Sequence, residues 1–444
     1  MTNDKESTND AEKPRKKGLS LQTFASLSNH NVRFLFFGTL FTSAGNWIQV
    51  ITLGILAWEL TENPVVVATV LGSRSVPWLV FGPFAGVMID RMDRRKVLLT
   101  SQVLRICLAL VLGTVLILDL LQVWMLYLYI ILNGVGWVLD NPSRQVVIAN
   151  SVPKESLQNA LSLVQLSFGF NRILFPVIGG IIIDLAGGAI DGGASINILI
   201  QAACYMMVFI MFSQIRVERK ESVSKARKSV FHDFAEGVRY VSKERTVLGL
   251  IIMGLVPSFF LRPFADNMLV VFAEEVLMLN AARLGILMAI ANIGIFLGTF
   301  LMATFSNVRQ KGMLLITTAV VSGLCLLALS QTNEMVLASL FLLLMGISSA
   351  MYHILNATII MTVTPDEYRG RVTTLFMLDQ SGAPLGGLLA GSLAALLAVK
   401  WSMLAGGILT SSLVAVIGIS FKSIRTSTTE VPVATSAQET IKST

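Results

Sequence analysis

Charged side chains inside long apolar segments are the residues of this chain best placed to do chemistry. Eight residues share this setting: Arg74, Arg105, Asp140, Arg144, Arg172, Arg262, Asp266 and Asp379. If such segments cross a bilayer, each charge facing lipid at a helix centre would cost about 2.5–3.5 kcal/mol, so these charges are predicted to face a protein interior or water. Asp140 is four residues from Arg144, and Arg262 is four from Asp266, so each pair can neutralise itself on one helix face.

Asp379 differs from these pairs because no cation lies within one helical turn of it. A carboxylate removed from water without a partner binds a proton readily, which is the property that a proton carrier needs. Asp379 is therefore a proton-coupling candidate, and an ion pair with Arg74 or Arg172 of another helix is the structural alternative. Asp266 and His353 are further candidates, although ordinary packing also explains a lone histidine in an apolar segment.

A second concentration of charge lies in a very short loop after the second apolar segment. Between Gly86 and Val97 the sequence places Asp90, Arg91, Asp93, Arg94, Arg95 and Lys96. Basic residues in such a loop fix membrane orientation, but orientation alone does not require Asp90 and Asp93 among them. The loop is therefore predicted to make functional electrostatic contacts as well as to carry an orientation signal.

The elements that position these charges are the apolar segments themselves. Hydrophobic residues make up 54% of the 444 residues and charged residues 14%, with a mean hydropathy of +0.71; soluble domains are roughly one quarter charged. Because a bilayer core needs about 20 apolar residues per helix, the chain is predicted to be an all-α integral membrane protein. Twelve segments are long enough, at residues 33–58, 65–88, 97–119, 123–148, 159–186, 195–213, 247–272, 283–305, 313–331, 335–362, 371–397 and 401–421.

The distribution of Lys and Arg predicts how these segments are oriented. Almost all basic residues outside the segments lie on the side of the N-terminus, and the opposite loops carry only Arg283 and Lys400. Since cytoplasmic loops are enriched in Lys and Arg, both termini are predicted to be cytoplasmic in a bacterial inner or plasma membrane. The net charge of +7 is thus an orientation signal, and no nucleic-acid partner is expected. The polar N-terminal residues predict no cleaved signal peptide.

The longest internal polar stretch, from Arg216 to Arg245, divides the chain into two halves. The predicted organisation is a polar cytoplasmic tail (1–32), an N-terminal six-helix bundle (33–213), a cytoplasmic linker with an amphipathic helix (214–246), a C-terminal six-helix bundle (247–421) and a disordered cytoplasmic tail (422–444). The halves repeat weakly, with Asp90–Leu99 aligning with Ser306–Leu315. Parallel repetition of this kind is typical of two bundles related by a pseudo-twofold axis along the membrane normal.

Several chemistries are disfavoured by what the sequence lacks. Cys107, Cys204 and Cys325 each lie alone in an apolar segment and the histidines are scattered, so no metal-ligand spacing is present. The sequence has no Walker-type phosphate loop and no recognisable set of nucleophile and base. We therefore expect no metal, no cofactor and no enzymatic activity, and the energy source must be an ion gradient or the substrate's own gradient.

The charged loop resembles the signature of the major facilitator superfamily between its second and third spans, GxxxDRxGRRxxL. The matching positions are Gly86, Asp90, Arg91, Arg94, Arg95 and Leu98. Asp93 stands where the signature has glycine, which is tolerable because Asp enters the left-handed backbone region more readily than most residues.

Three other segments resemble one branch of that superfamily, the exporters related to the enterobactin exporter and the macrolide efflux pumps. They are NWIQVITLGILAWELT from Asn46, DNPSRQ from Asp140 and TPDEYRGRV from Thr364. Two positions depart from the drug and proton antiporters. Span five has Phe175 and Pro176 instead of Gly-Pro, and span four has Ile130 where many antiporters carry arginine.

The resemblance implies roles for particular residues. A gating latch that closes against span eleven is implied for Gly86, Asp90, Arg91, Arg94 and Arg95, joined by Asp140 of span four. A central substrate cavity is implied between the bundles, with candidate lining residues Asn46, Gln49, Asn133, Asn141, Arg172, Arg262, Tyr352 and Asn356. The proton-coupling candidates remain Asp379, Asp266 and His353.

Together these features predict a monomeric secondary active transporter in the lipid bilayer. The resemblance favours a proton-driven exporter of an amphipathic small molecule of the drug, macrolide or siderophore class, working by alternating access. A lysophospholipid or other lipid facilitator is the alternative, and a non-transporting membrane receptor is a distant one. Fold alone does not fix the substrate.

Overall fold

The computed structural model describes residues 26–81, 92–215, 230–304, 310–376 and 382–425. The regular secondary structure of these residues is helical, and they contain no β-strand. The helices are α1 (His30–Thr61), α2 (Pro64–Ser73), α3 (Arg94–Ile117), α4 (Val123–Ser151), α5 (Lys154–Leu185), α6 (Ala194–Ser213), α7 (Val230–Lys243), α8 (Arg245–Phe260), α9 (Leu269–Glu275), α10 (Ala281–Thr304), α11 (Lys311–Gln331), α12 (Met335–Val363), α13 (Asp366–Phe376), α14 (Ala383–Leu397), α15 (Val399–Ser420) and α16 (Lys422–Arg425). Short π-helical turns lie at Ala189–Gly193 and Pro263–Asn267.

The described helices confirm the prediction of an all-α membrane protein. Eleven helical stretches are long and apolar enough to cross a bilayer, and the apolar helix Pro384–Leu397 is a shorter one. Helices also continue past the apolar segments where a cap permits it. Asn29, for example, accepts a hydrogen bond from the Val32 amide at 3.2 Å and so starts α1 before its apolar run begins.

Three apolar clusters organise the packing of the two halves, α1–α6 and α8–α15. We call the side where α1 begins the termini side and the side where α1 ends the distal side. On the termini side, the cluster around Leu35 and Phe212 belongs to the first half and the cluster around Leu250 and Ile360 to the second. On the distal side a single larger cluster joins the halves. Within the described residues, apolar packing therefore bridges the halves on the distal side only.

Close contact between α5 and α10 contributes to this distal seal. A Cβ atom added at Gly180 would collide with the backbone carbonyl oxygen of Ala281, and one at Gly285 would lie 2.5 Å from the Pro176 carbonyl oxygen. Only glycine allows two backbones to approach this closely. Further toward the termini side, the same helix α5 has open space around Gly169.

Two distal carboxylates bind backbone amides in the same way but in different places. Asp184 of α5 accepts hydrogen bonds from the Ala281 and Ala282 amides, both at 3.0 Å, and so caps α10 of the other half. Glu59 of α1 accepts from the Ala189 and Ile190 amides at 2.9 and 2.8 Å, within its own half. A carboxylate at a helix N-terminus is favoured by the helix dipole, so Asp184 ties the halves together.

Candidate functional site

A buried polar network fills the interior of the first half. Asp140 and Arg144 form a buried ion pair one turn apart on α4, as their spacing predicts. The Arg144 guanidinium also donates to the Thr39 hydroxyl at 2.7 Å, and Gln102 donates to Asp140 at 3.3 Å. The rings of Phe168 and Phe212 cover the guanidinium. Both charges are therefore neutralised inside the half.

Arg105 of α3 is held in the same half without an ion pair to a carboxylate of the described residues. Its Nε and Nη2 atoms donate to Asn133 Oδ1 at 3.3 and 3.2 Å, and its guanidinium lies 4.4 Å from the Tyr205 ring centroid and 5.6 Å from that of Trp137. Cation–π contacts of a desolvated arginine contribute about 2 kcal/mol. Arg105 is fully buried, so it acts as an internal packing element.

Gln49 belongs to a neighbouring network of the first half. It accepts a hydrogen bond from Gln201 at 2.6 Å, and Gln201 in turn accepts from the Tyr129 hydroxyl at 2.7 Å. Gln49 is 1% exposed. Its amide therefore faces the interior of its own bundle.

A central cavity of about 430 Å³ lies between the two halves. Its charged and aromatic lining consists of Trp47, Arg74 and Arg172 from the first half and Arg262, Asp266 and His353 from the second. Apolar side chains such as Ile130, Met288 and Met345 provide much of the remaining wall. The volume lies within the range of about 300–1,000 Å³ that small-molecule sites occupy.

Arg172 is only partly satisfied at this cavity. Its guanidinium lies 5.0 Å from the Trp47 ring centroid, and its Nε atom is buried without a hydrogen-bond partner. Its backbone carbonyl accepts a hydrogen bond from Asn292 of α10 at 3.0 Å, which joins the halves at this level. The Arg172 side chain is thus positioned by contacts that leave hydrogen-bonding capacity unused.

Arg262 and Asp266 both line the cavity, but the ion pair expected from their spacing does not form among the described residues. The backbone between them is the π-helical turn that begins at Pro263. The rule that side chains four apart pair holds for an α-helix, and this wider turn departs from that geometry. Asp266 instead interacts electrostatically with Arg74 and Arg172 of the other half.

His353 lies among aromatic rings at the edge of the cavity. Its ring centroid is 6.2 Å from that of Phe376 and 6.5 Å from that of Tyr352. Tyr352 is buried, and its hydroxyl donates to the Met253 carbonyl at 2.6 Å, so it braces α12 against α8. Asn356 is also buried and close to Gly254.

Six of the predicted cavity residues do not line this cavity as the structure describes it: Asn46, Gln49, Asn133, Asn141, Tyr352 and Asn356. For Gln49, Asn133 and Tyr352 the reason is a hydrogen bond to the interior of their own half. A polar residue on a cavity-forming helix can face either the cavity or the interior of its own half. Sequence spacing alone does not distinguish these two orientations.

The described part of the latch lies at the start of α3. Asp93 accepts hydrogen bonds from the Arg95 and Lys96 amides at 3.0 and 3.4 Å, which makes it the N-cap of that helix. The Arg95 guanidinium donates to the Ser213 carbonyl at the end of α6. The described partners of Asp140 are Arg144 and Gln102. Gly86, Asp90, Arg91 and Asp379 lie outside the described residues.

Arg74, Trp47 and Asn292 are cavity residues that the sequence did not assign to this role. Arg74 was recognisable as a charge in an apolar segment, and its position at the end of α2 places it in the cavity wall. Trp47 lies in the NWIQ segment that carries the family resemblance, and no sequence signal marked Asn292. Among the described residues no group of three or more His, Cys, Asp or Glu side chains is arranged to hold a metal ion.

Comparison with known proteins places this architecture in a family. Residues 21–440 match the family model described as transmembrane secretion effector. Macrolide efflux protein A of Streptococcus pyogenes is 23% identical over 82% of this chain and 91% of its own length. The multidrug efflux pump Tap of Mycolicibacterium fortuitum is 24% identical over 81% of this chain and 88% of its own length.

The fold is also found among solved structures. A bacterial homologue of the human lysosomal transporter Spinster, in an inward-facing and occupied conformation, superposes with a TM-score of 0.71 at 14% identity, covering 88% of this chain and 98% of that one. With the family match extending over nearly the whole chain, the protein belongs to the transmembrane secretion effectors of the major facilitator superfamily and is a multi-pass membrane transporter related to efflux pumps, not an enzyme.

Proposed function

We propose that the protein is a proton-driven exporter of an amphipathic small molecule. The observation that carries this proposal is the charged cavity between two halves that are sealed on the distal side. A site enclosed between two bundles and closed on one side is what alternating access requires. The efflux pumps among the relatives support export as the direction of transport.

The proposed orientation places both termini and the linker in the cytoplasm, so that the distal side faces outward. It rests on the concentration of Lys and Arg in the segments on the termini side. Single cysteines at Asp191 and Ser224, in a background without the native cysteines, test it with an impermeant thiol reagent. Asp191 should be labelled from outside intact cells and Ser224 should not. The reverse pattern would overturn the orientation.

Proton coupling is assigned to Asp266 and His353, and to Asp379, which lies outside the described residues. Asp266 and His353 line the cavity, and Asp266 is close enough to two arginines for its protonation to change their electrostatic environment. Loss of that negative charge would alter the field at the substrate site, which links proton binding to substrate binding. The transport cycle would then exchange one for the other.

The experiment uses the full-length protein in proteoliposomes with a panel of fluorescent dyes and antibiotics. We expect accumulation against a concentration gradient when a pH gradient is imposed, and its loss with a protonophore. Asparagine at Asp379 or Asp266 should abolish uphill transport, whereas downhill exchange should survive because it needs no net proton movement. Uphill transport that persists in Asp379→Asn, Asp266→Asn and His353→Gln and is insensitive to the protonophore would exclude proton drive.

The latch is proposed to close the termini side in the alternate conformation. Asp90→Asn or Arg94→Ala should therefore impair transport while leaving substrate binding measurable, because these residues would act on the conformational equilibrium and not on the substrate. The readout is the accessibility of a cysteine at Ser349, which lines the cavity. Normal transport with unchanged accessibility would reduce the charged loop to an orientation signal.

A further inference from the structure

We propose that the central cavity selects an organic anion, a small molecule with a carboxylate, sulfonate or phosphate group on an apolar body. This inference rests on the proposed export function and narrows its substrate class. It is argued from the charge, the unsatisfied hydrogen-bonding groups and the apolar wall of the cavity.

The described cavity wall carries more positive than negative charge. Arg74, Arg172 and Arg262 face a single carboxylate, Asp266. Residues 377–381 contain one further charged residue, Asp379. Even if its carboxylate were added, three guanidiniums would meet two carboxylates. Like charges held together away from bulk water repel strongly, so this site gains stability when an anion enters.

The three guanidiniums are also available to bind a ligand. None of them forms an ion pair with a carboxylate of the described residues, in contrast to Arg144. Arg74 is exposed to the cavity, and the buried Arg172 Nε atom has no hydrogen-bond partner. Guanidinium groups bind carboxylates, sulfonates and phosphates through paired N–H donors. The cavity therefore offers donors of the right kind from both halves.

The rest of the wall fits the apolar part of such a molecule. Trp47 presents an aromatic face beside Arg172, and Leu71, Ile130, Met288 and Met345 line the same space. Methionine side chains adapt to irregular apolar shapes. An amphipathic anion would satisfy the guanidiniums with its charged group and cover this apolar surface with its body.

A matched dye pair tests the charge preference. Fluorescein and rhodamine 123 share a xanthene ring system, but at pH 7.5 the first is an anion and the second a cation. Fluorescence polarisation with full-length protein in phosphatidylcholine nanodiscs, corrected with empty nanodiscs, gives both dissociation constants. We expect fluorescein to bind at least about tenfold more tightly. Equal affinities, tighter binding of rhodamine 123 or no fluorescein binding would overturn the proposal.

Substitutions of opposite expected sign separate a binding role from a structural one. Arg172→Gln and Arg74→Gln should each weaken fluorescein binding by about tenfold. Asp266→Asn should tighten it, because the competing carboxylate is lost. Arg239→Gln, on the exposed face of α7, is the matched control and should change nothing. Weaker binding in Asp266→Asn, or unchanged binding in both arginine variants, contradicts the proposal.

Two further arms separate this inference from the export function and identify the source of the anion. Displacement of fluorescein by 2-naphthalenesulfonate supports a small-molecule site, and displacement by lysophosphatidylglycerol alone assigns the anion site to a lipid and overturns the small-molecule proposal. Gradient-driven transport of rhodamine 123 but not fluorescein would leave export standing and remove the anion preference. Arginine-dependent fluorescein binding without proton-driven transport would support the anion site and contradict proton-driven export.

Discussion

Arg144 and Arg172 are arginines of the same half, on consecutive helices, yet their surroundings are opposite. Arg144 has a carboxylate partner on its own helix, a threonine hydroxyl at 2.7 Å and two aromatic rings around it. Arg172 has one aromatic ring, no carboxylate partner among the described residues and a cavity in front of it, although the Nε atoms of both arginines are buried without a hydrogen-bond partner. A charge in a membrane-spanning helix thus indicates function only when its own half does not neutralise it.

The same contrast divides the other intramembrane arginines into two groups. Arg105 resembles Arg144, since its side chain is buried among Asn133, Trp137 and Tyr205. Arg74 and Arg262 resemble Arg172, since they line the cavity without an ion pair to the described residues. The first half therefore contains arginines packed in its interior and arginines that face the cavity.

The largest expected effect on stability comes from removing one partner of the Asp140–Arg144 ion pair. Asp140→Asn leaves the buried Arg144 charge uncompensated, and Arg144→Gln does the same to Asp140, so each should lower the free energy of unfolding by about 3–5 kcal/mol. Protein yield and the thermal melting temperature in detergent measure the loss. The double variant should recover part of it because no isolated charge remains. An unchanged melting temperature in the single variant Asp140→Asn would contradict the distinction between the ion-paired Arg144 and the cavity-lining Arg172.

Substitution of Arg172 should instead reduce transport and leave stability nearly unchanged. Arg172→Gln removes a charge that has no carboxylate partner among the described residues, so its melting temperature should stay near that of the parent protein while transport falls at least about tenfold. Arg144→Gln is the matched substitution, with the same change of side chain on the neighbouring helix. Equal destabilisation by both would mean that Arg172 is also a structural arginine.

The fold could be predicted from the sequence because hydrophobic length is a property of each segment alone. The same holds for Asp140 and Arg144, which lie one turn apart on an α-helix that continues through Pro142. The identical spacing of Arg262 and Asp266 does not give an ion pair among the described residues, and the backbone between them is a π-helical turn. Pairing rules based on α-helical spacing therefore apply only where the backbone is α-helical.

Contacts between helices could not be predicted in this way. The approach of Trp47 to Arg172, and of Asp184 to the start of α10, depends on how helices pack across the molecule. For the same reason, Gln49 was assigned to the cavity although Gln201 binds it inside the first half. A single sequence predicts which helix carries a residue, but the role of that residue depends on which neighbouring helix it contacts.

A smaller effect is expected where a carboxylate binds backbone amides across the distal seal. Asp184→Asn weakens the cap on α10 by about 0.5–2 kcal/mol and should shift the population toward the conformation open on the distal side. Spin labels at the exposed residues Leu185 and Met278, one in each half, should report a larger fraction of long distances.

Glu59→Gln is the control for the distal carboxylate. It alters the same kind of contact, but both partners lie in the first half, so the distance distribution between the labels should not change. A shift of equal size in both variants would show that Asp184 stabilises the protein generally and does not act as a gate.

The smallest effect is expected at the ion pair that fixes the linker helix α7 to α13. Glu236 and Arg371 are 3.1 Å apart, and their side chains are 32% and 20% exposed. Water screens such a pair, so its coupling energy should be below about 1 kcal/mol. A double-mutant cycle with Glu236→Gln and Arg371→Gln, read by thermal melting, measures it, because the cycle cancels the other contacts of each residue. A coupling as large as that of Asp140 with Arg144 would contradict the view that exclusion from water, more than charge pairing itself, separates the structural pairs from the weak ones.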